Sequence, residues 1–127
     1  MSLETLANRF VELCNNGKYF DVMEEMYAPD IVSVEADGRE VPGKRPVIQK
    51  SRDWQAVNAI HGGQVRGPFF ASAATAARDT SGQFACFFSI DVTPQATGRR
   101  VTYEEVGLYT VQDEKITREQ FYYAGTR

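Results

Sequence analysis

Apolar residues recur at two spacings along this chain, and the change of spacing divides it in two. Leu3, Leu6, Ala7, Phe10, Leu13 and Cys14 follow the i, i+3, i+4, i+7 rule that paints one apolar stripe on a helix. Ser2 precedes that stripe, and a serine oxygen there accepts a free first-turn N–H. Asn15-Asn16-Gly17 supplies the stop, because Asn and Gly tolerate left-handed backbone. A second helix is expected at about 19–27, with Phe20, Met23 and Tyr27 on one face and Pro29 as its terminator, since the residue before a proline leaves the helical region. Ile31–Glu35 reads as a short strand, Asp37-Gly38 as a turn and 38–43 as a connection. A third helix is expected from about Arg45 to Asn58, with Pro46 in its first turn and Val47, Ile48, Ser51, Trp54 and Val57 near one face.

From Gln64 onward the period shortens to two. Phe84, Cys86, Phe88, Ile90 and Val92 form a wholly apolar strand face, opposite Ala85, Phe87, Ser89, Asp91 and Thr93. Val101–Val111 and Ile116–Tyr123 read as further strands. Turn residues in 80–82, 94–98 and 112–115 imply an antiparallel meander. Phe69–Ala77 (FFASAATAA) is rich in alanine, a helix former. Gly67-Pro68 before it and the hairpins after it nevertheless predict a strand. Helices first and sheet afterwards is an α+β order, with the helices on one sheet face.

Composition narrows the function classes without naming one. With 127 residues, 43% apolar and 24% charged, the chain is long enough to bury a core without a disulfide or metal. A net charge of −3, with no basic block longer than Lys44-Arg45 or Arg99-Arg100, argues against a nucleic-acid partner. The apolar runs are too short to span a bilayer, and MSLETLANRF lacks the apolar core of a secretory signal. A cytoplasmic protein with no membrane partner is expected. Cys14 and Cys86 lie on apolar faces and read as small core residues. One histidine and no Cys-x-x-Cys exclude the common zinc patterns, and no cofactor is expected.

Three stretches carry a family resemblance: MYAPDIVSVEADG (26–38), PGKRPVIQKSRDW (42–54) and YEEVGLYTVQDEKITREQFYY (103–123). They resemble SnoaL-like members of the nuclear transport factor 2-like superfamily, over nearly the whole chain. The resemblance implies a single domain over 1–127. Its fold is a cone, a curved antiparallel sheet wrapped around three N-terminal helices with a pocket at one end. It also implies a homodimer packed sheet to sheet through Ala85, Phe87, Ser89, Val106 and Tyr122. The superfamily holds isomerases, cyclases, dehydratases, epoxide hydrolases and binding proteins, so fold does not select activity. Against its ketosteroid isomerases, the general base corresponds to Glu35. Their two oxyanion donors correspond to Phe10 and Gly107, neither of which can donate. Each such donor is worth roughly 3–4 kcal/mol, so ketosteroid isomerase activity is not expected.

Four titratable candidates remain. Glu35, at the end of the first strand, is either a general base inside the cone or a solvated strand-end carboxylate. Glu105 shares a strand face with Tyr103, Gly107, Tyr109 and Val111, while Glu104 shares the other with Val106 and Leu108. The resemblance turns the Gly107 face inward and so favours Glu105, with a rim or interface glutamate as the alternative. Glu119 falls in parity with Thr117, Phe121 and Tyr123. Buried and ionised it needs a partner, for which Arg52, Arg66 and Arg118 are the candidates. His61, in a loop entering the sheet, is either an acid/base group or an exposed imidazole. Phe10, Trp54, Phe88, Ile90, Tyr109 and Tyr123 are the expected substrate-binding wall, although Trp54 and Tyr27 also read as core. Two functions stay open. One is cofactor-free acid/base isomerisation, cyclisation or dehydration of a small hydrophobic molecule. The other is a non-catalytic ligand-binding or protein-interaction module. Convergent polar groups would favour the first.

Overall fold

A computed structural model describes residues 1–126. Helix α1 (Leu3–Asn15) forms where the stripe predicts it. Ser2 Oγ accepts from the Thr5 N–H at 3.1 Å, and Gly17 turns left-handed at φ 74° to end it. Helix α2 (Tyr19–Met26) buries Val22 and Met26, and α3 (Lys44–Ala56) buries Val47 and Ile48. The strands are β1 (Tyr27–Val34), β2 (Glu40–Pro42), β3 (Asn58–Phe69), β4 (Gly82–Pro94), β5 (Val101–Gln112) and β6 (Lys115–Thr126). They form one curved, unclosed sheet in the order β2-β1-β6-β5-β4-β3. The fold is the expected α+β cone. Its core joins Leu6, Phe10 and Cys14 of α1 to Phe84, Cys86, Phe88 and Tyr109 of the sheet. Asn15 pins α1 to β3 by bonding both the Val65 carbonyl (3.0 Å) and N–H (2.8 Å).

Several boundaries differ from the sequence reading. The 69–77 segment is not a strand. β3 ends at Phe69, just past Gly67 (φ 134°) and Pro68, and Ser72 caps the one-turn helix α4 (Ala73–Ala76). Alanine's helix preference prevails there. The strand opening the meander is β3 itself. Its residues are almost all exposed apart from Val65, so no alternation announced it. α3 accordingly ends at Ala56, and His61 sits within β3 rather than in a loop. α2 ends at Met26, before Pro29 can act. Pro29 lies inside β1, where the pairing with β6 slips between Tyr27 and Val32, a position that tolerates its missing N–H. The 38–43 connection contains β2.

The sheet is also mixed rather than wholly antiparallel. β3 to β6 form an antiparallel meander, but β1 runs parallel to β6 with Ser33 beside Glu119. The long chain between these strands leaves them free of a hairpin's constraint. Among the described residues no helix is long and apolar enough to cross a membrane.

Candidate functional site

The concave face of β4, β5 and β6 and the helices α1–α3 enclose a cavity of about 400 Å³, within the range of small-molecule sites. Its walls are mainly apolar and aromatic, including Phe10, Phe20, Met23, Phe88, Ile90, Tyr103 and Phe121. Trp54 is 37% exposed and stands at the edge of this space rather than in the core. Tyr123 also lines it and is largely exposed.

Four charged groups line the same cavity, and three of them satisfy one another. Glu119 is 2% exposed. The Tyr27 hydroxyl donates to its Oε1, and the Ser33 hydroxyl donates to its Oε2 at 2.7 Å. Lys50 Nζ donates to Ser33 Oγ at 2.6 Å, lies 3.7 Å from Glu119 and pairs with Glu35 at 2.7 Å. Ser33 thus accepts from the ammonium and donates to the carboxylate. Burial, followed by the Glu119 charge, pushes Tyr27 well above the ordinary phenol range, which keeps it a donor.

Glu105 stands apart. It projects from β5 opposite Phe88 of β4 and makes no hydrogen bond or ion pair among the described residues. Burial comes first among the causes that push its carboxyl up to about 7. The negative charges of Glu35 and Glu119 add to it, and Lys50 opposes. The carboxyl therefore exchanges its proton near neutral pH. Cys14 and Cys86 are raised to about 12, chiefly by burial, so they remain inert thiols.

Glu35, Glu105 and Glu119 thus face one space, together with Phe10, Trp54, Phe88, Ile90, Tyr109 and Tyr123. His61 does not join them. It is exposed on β3, its Nε2 2.7 Å from Thr93 Oγ1. The arginines do not pair with Glu119 either. Arg52 stacks on Phe20 at 4.7 Å, Arg66 stacks on Phe87 at 4.6 Å, and Arg118 is exposed. Tyr27 is core, as expected, but it also serves the site as a donor. The sequence reading missed Lys50 and Ser33. Lys50 follows Val47 by three residues and precedes Trp54 by four, which puts it on the same helix face. Ser33 shares the parity of Ile31 on β1 and of Glu35 just beyond its end. Among the described residues no group of three His, Cys, Asp or Glu side chains could hold a metal ion.

Residues 1–123 match the family model of the SnoaL-like domain. A solved Mesorhizobium loti protein is 44% identical, with a TM-score of 0.85 over 97% of this chain and 100% of its own. It is provisionally named a SnoaL-like polyketide cyclase and, in the same name, a carbohydrate phosphatase. A provisionally named polyketide cyclase from Pseudomonas putida shares the fold at 14% identity, with a TM-score of 0.72 over 97% of this chain and 92% of its own. One from Xanthomonas campestris does so at 15%, with a TM-score of 0.71 over 95% and 89%. No curated protein matches the sequence.

Proposed function

Because the chain belongs to the SnoaL-like domain family, we propose that it holds one small, mostly apolar organic molecule in the cavity and moves a proton on it without a cofactor, in an isomerisation, cyclisation or dehydration. The carrying observation is Glu105, an unpartnered carboxyl pushed up to about 7 in an aromatic cavity. A group that titrates near the working pH both takes and returns a proton efficiently. Burial raises the Glu105 carboxyl first, Glu35 and Glu119 nearby add to that, and Lys50 opposes. The cyclase name of the Mesorhizobium loti protein supports this reading. Its phosphatase name fits the cavity poorly. A phosphate ester would meet three carboxylates and one lysine already bound to two of the cavity's own groups.

Deuterium uptake tests the proposal. 2-Tetralone is a small apolar ketone with acidic hydrogens beside its carbonyl. The protein is expected to speed their exchange in D2O well above buffer, and Glu105→Gln to return the rate to background while the fold is kept. One observation favours the non-catalytic module instead: Glu35, Lys50, Ser33 and Glu119 close on one another, which leaves few polar groups for a reaction. Binding of 2-tetralone with no exchange above buffer would select that module.

The reading extends to a homodimer. Phe87, Val106 and Tyr122 sit in register across β4, β5 and β6 on the convex face, and Tyr122 is 49% exposed. Two aromatics and a valine in one row on the face away from the helices fit a partner sheet. Light scattering at micromolar concentration is expected to give twice the 14.2 kDa chain mass, and a monomer would overturn the dimer.

A further inference from the structure

We propose that Tyr109 contacts the ligand directly: its hydroxyl donates a hydrogen bond to a carbonyl or enolate oxygen of the bound molecule, and Gly107 is the gap in β5 that lets it do so. This rests on the proton-transfer reading above for the kind of ligand, and it names the group that recognises the ligand's oxygen.

Glu105, Gly107 and Tyr109 occupy successive inward positions of one strand, each step spanning roughly 6.7 Å. A Cβ at Gly107 would lie 2.8 Å from Tyr109 Cε2, 2.9 Å from the Tyr109 hydroxyl and 2.9 Å from Phe88 Cε2. All three distances are shorter than real Cβ contacts allow. The Tyr109 ring therefore leans back along β5 over Gly107, which carries its hydroxyl toward Glu105.

That ring has little freedom to point elsewhere. It stacks on Phe84 at 5.1 Å, tilts against Phe10 at 4.6 Å and meets the edges of Phe88 and Phe121 at 6.4 and 6.5 Å. The residue is 2% exposed, yet its hydroxyl has no hydrogen-bond partner among the described residues. No buried side-chain oxygen or nitrogen there is sealed off without a partner, so this hydroxyl opens onto the cavity that Tyr109 lines. Burial, then the nearby Tyr27 and Glu119, hold it well above the ordinary phenol range. It keeps its proton and acts as a donor. A rigid, protonated and unpaired donor in an aromatic wall is complementary to an acceptor oxygen. Glu105, the proton-transfer group, stands two inward positions away. In the enolisation that follows, Glu105 takes a proton from the carbon beside the carbonyl. The C–H electron pair moves to form the C=C bond, and the negative charge gathers on the oxygen facing Tyr109. Return of the proton to carbon restores Glu105.

The test uses 2-tetralone and its oxygen-free counterpart tetralin on the full chain. Tyr109→Phe removes a hydroxyl that bonds no protein group, so its fold, checked by near-ultraviolet circular dichroism, is expected to stay. The variant should weaken 2-tetralone about three- to tenfold and leave tetralin within about twofold. The wild type should lower the bound ketone's carbonyl stretching frequency, and Tyr109→Phe should abolish that shift. Gly107→Ala, which crowds the ring while keeping the hydroxyl, should reduce the shift as well. Equal weakening of both probes by Tyr109→Phe, or an unchanged carbonyl shift, overturns the proposal. Glu105→Gln separates the two readings, because it should stop deuterium exchange and keep the shift. A Tyr109-dependent shift without any wild-type exchange would retain the donor and remove the proton-transfer reading.

Discussion

Glu119 on β6 and Glu105 on β5 face the same cavity, but the strands beside them give them opposite surroundings. The parallel pairing of β1 with β6 brings Ser33 alongside Glu119, and Tyr27 and Lys50 complete the shell. Every oxygen of that carboxylate is engaged. β5 lies between β4 and β6, whose inward groups beside Glu105 are Phe88 and Tyr123, so Glu105 meets aromatic rings instead of donors. Neighbours, not residue type, thus divide the two roles. Glu119 is a carboxylate whose two oxygens are held by neighbours and which organises one wall, and Glu105 is an unpartnered carboxyl pushed up to about 7.

The largest break in that contrast is expected from Glu119→Ala. It takes the acceptor from the buried Tyr27 and Ser33 hydroxyls and loosens Lys50, and should cost about 3 kcal/mol or more in urea unfolding. A loss below about 1 kcal/mol would show that the shell around Glu119 is not structural. Glu105→Gln should act with the opposite sign. The folded carboxyl titrates near 7 and the unfolded one near 4.3. Folding therefore favours the protonated form, and that contribution is lost as pH rises from about 4.3 through 7. Glu105→Gln removes the penalty. It should stabilise the protein on the order of 3–4 kcal/mol at pH 8 and leave it unchanged at pH 4. Equal effects at both pH values would mean that Glu105 does not change state. Lys50→Met tests the link between the two regions. The ammonium is the opposing influence that lowers Glu105, so its loss should move the Glu105 transition upward, followed by carbon-13 NMR of the side-chain carboxyl. The broken pair with Glu35, about a quarter exposed, should cost about 1 kcal/mol.

How much of this was legible in the sequence depends on how local each signal was. α1 carried its own stripe, cap and stop, and the alternation of Phe84 to Val92 on β4 is what the buried face shows. Parity along one strand groups Glu105 with Gly107 and Tyr109, but with Glu104 on the other face it does not say which face is inward; the family resemblance turned the Glu105 face toward the pocket. β3 could not be read, because a nearly fully exposed edge strand has no apolar face to alternate. The partners of Glu119 come from β1 and α3, some 70 to 90 residues away in sequence. They depend on a parallel pairing that no turn between neighbouring strands signals. Arginine was the natural guess for a buried carboxylate, but two hydroxyls and one lysine do the work in its place. The lean of Tyr109 over Gly107 is likewise packing, set by four rings from α1, β4 and β6.

The smallest effect is expected from His61→Gln, and it decides which group sets the pH dependence. Imidazoles as a class titrate near neutral pH, in the range where the Glu105 carboxyl does. A rise in exchange rate near pH 7 is therefore assigned by position rather than by residue type. Geometry separates them. His61 is exposed on β3 beside Thr93, outside the cavity, whereas Glu105 lines it. Glutamine can keep a bond to the Thr93 hydroxyl, so stability should change by no more than about 0.5 kcal/mol. The 2-tetralone exchange rate should keep both its size and its rise near pH 7 in His61→Gln. In Glu105→Gln that rise should vanish. If the His61 variant lost it instead, the proton would be passing through the edge strand, and the contrast between Glu119 and Glu105 would explain the shape of the cavity but not its chemistry.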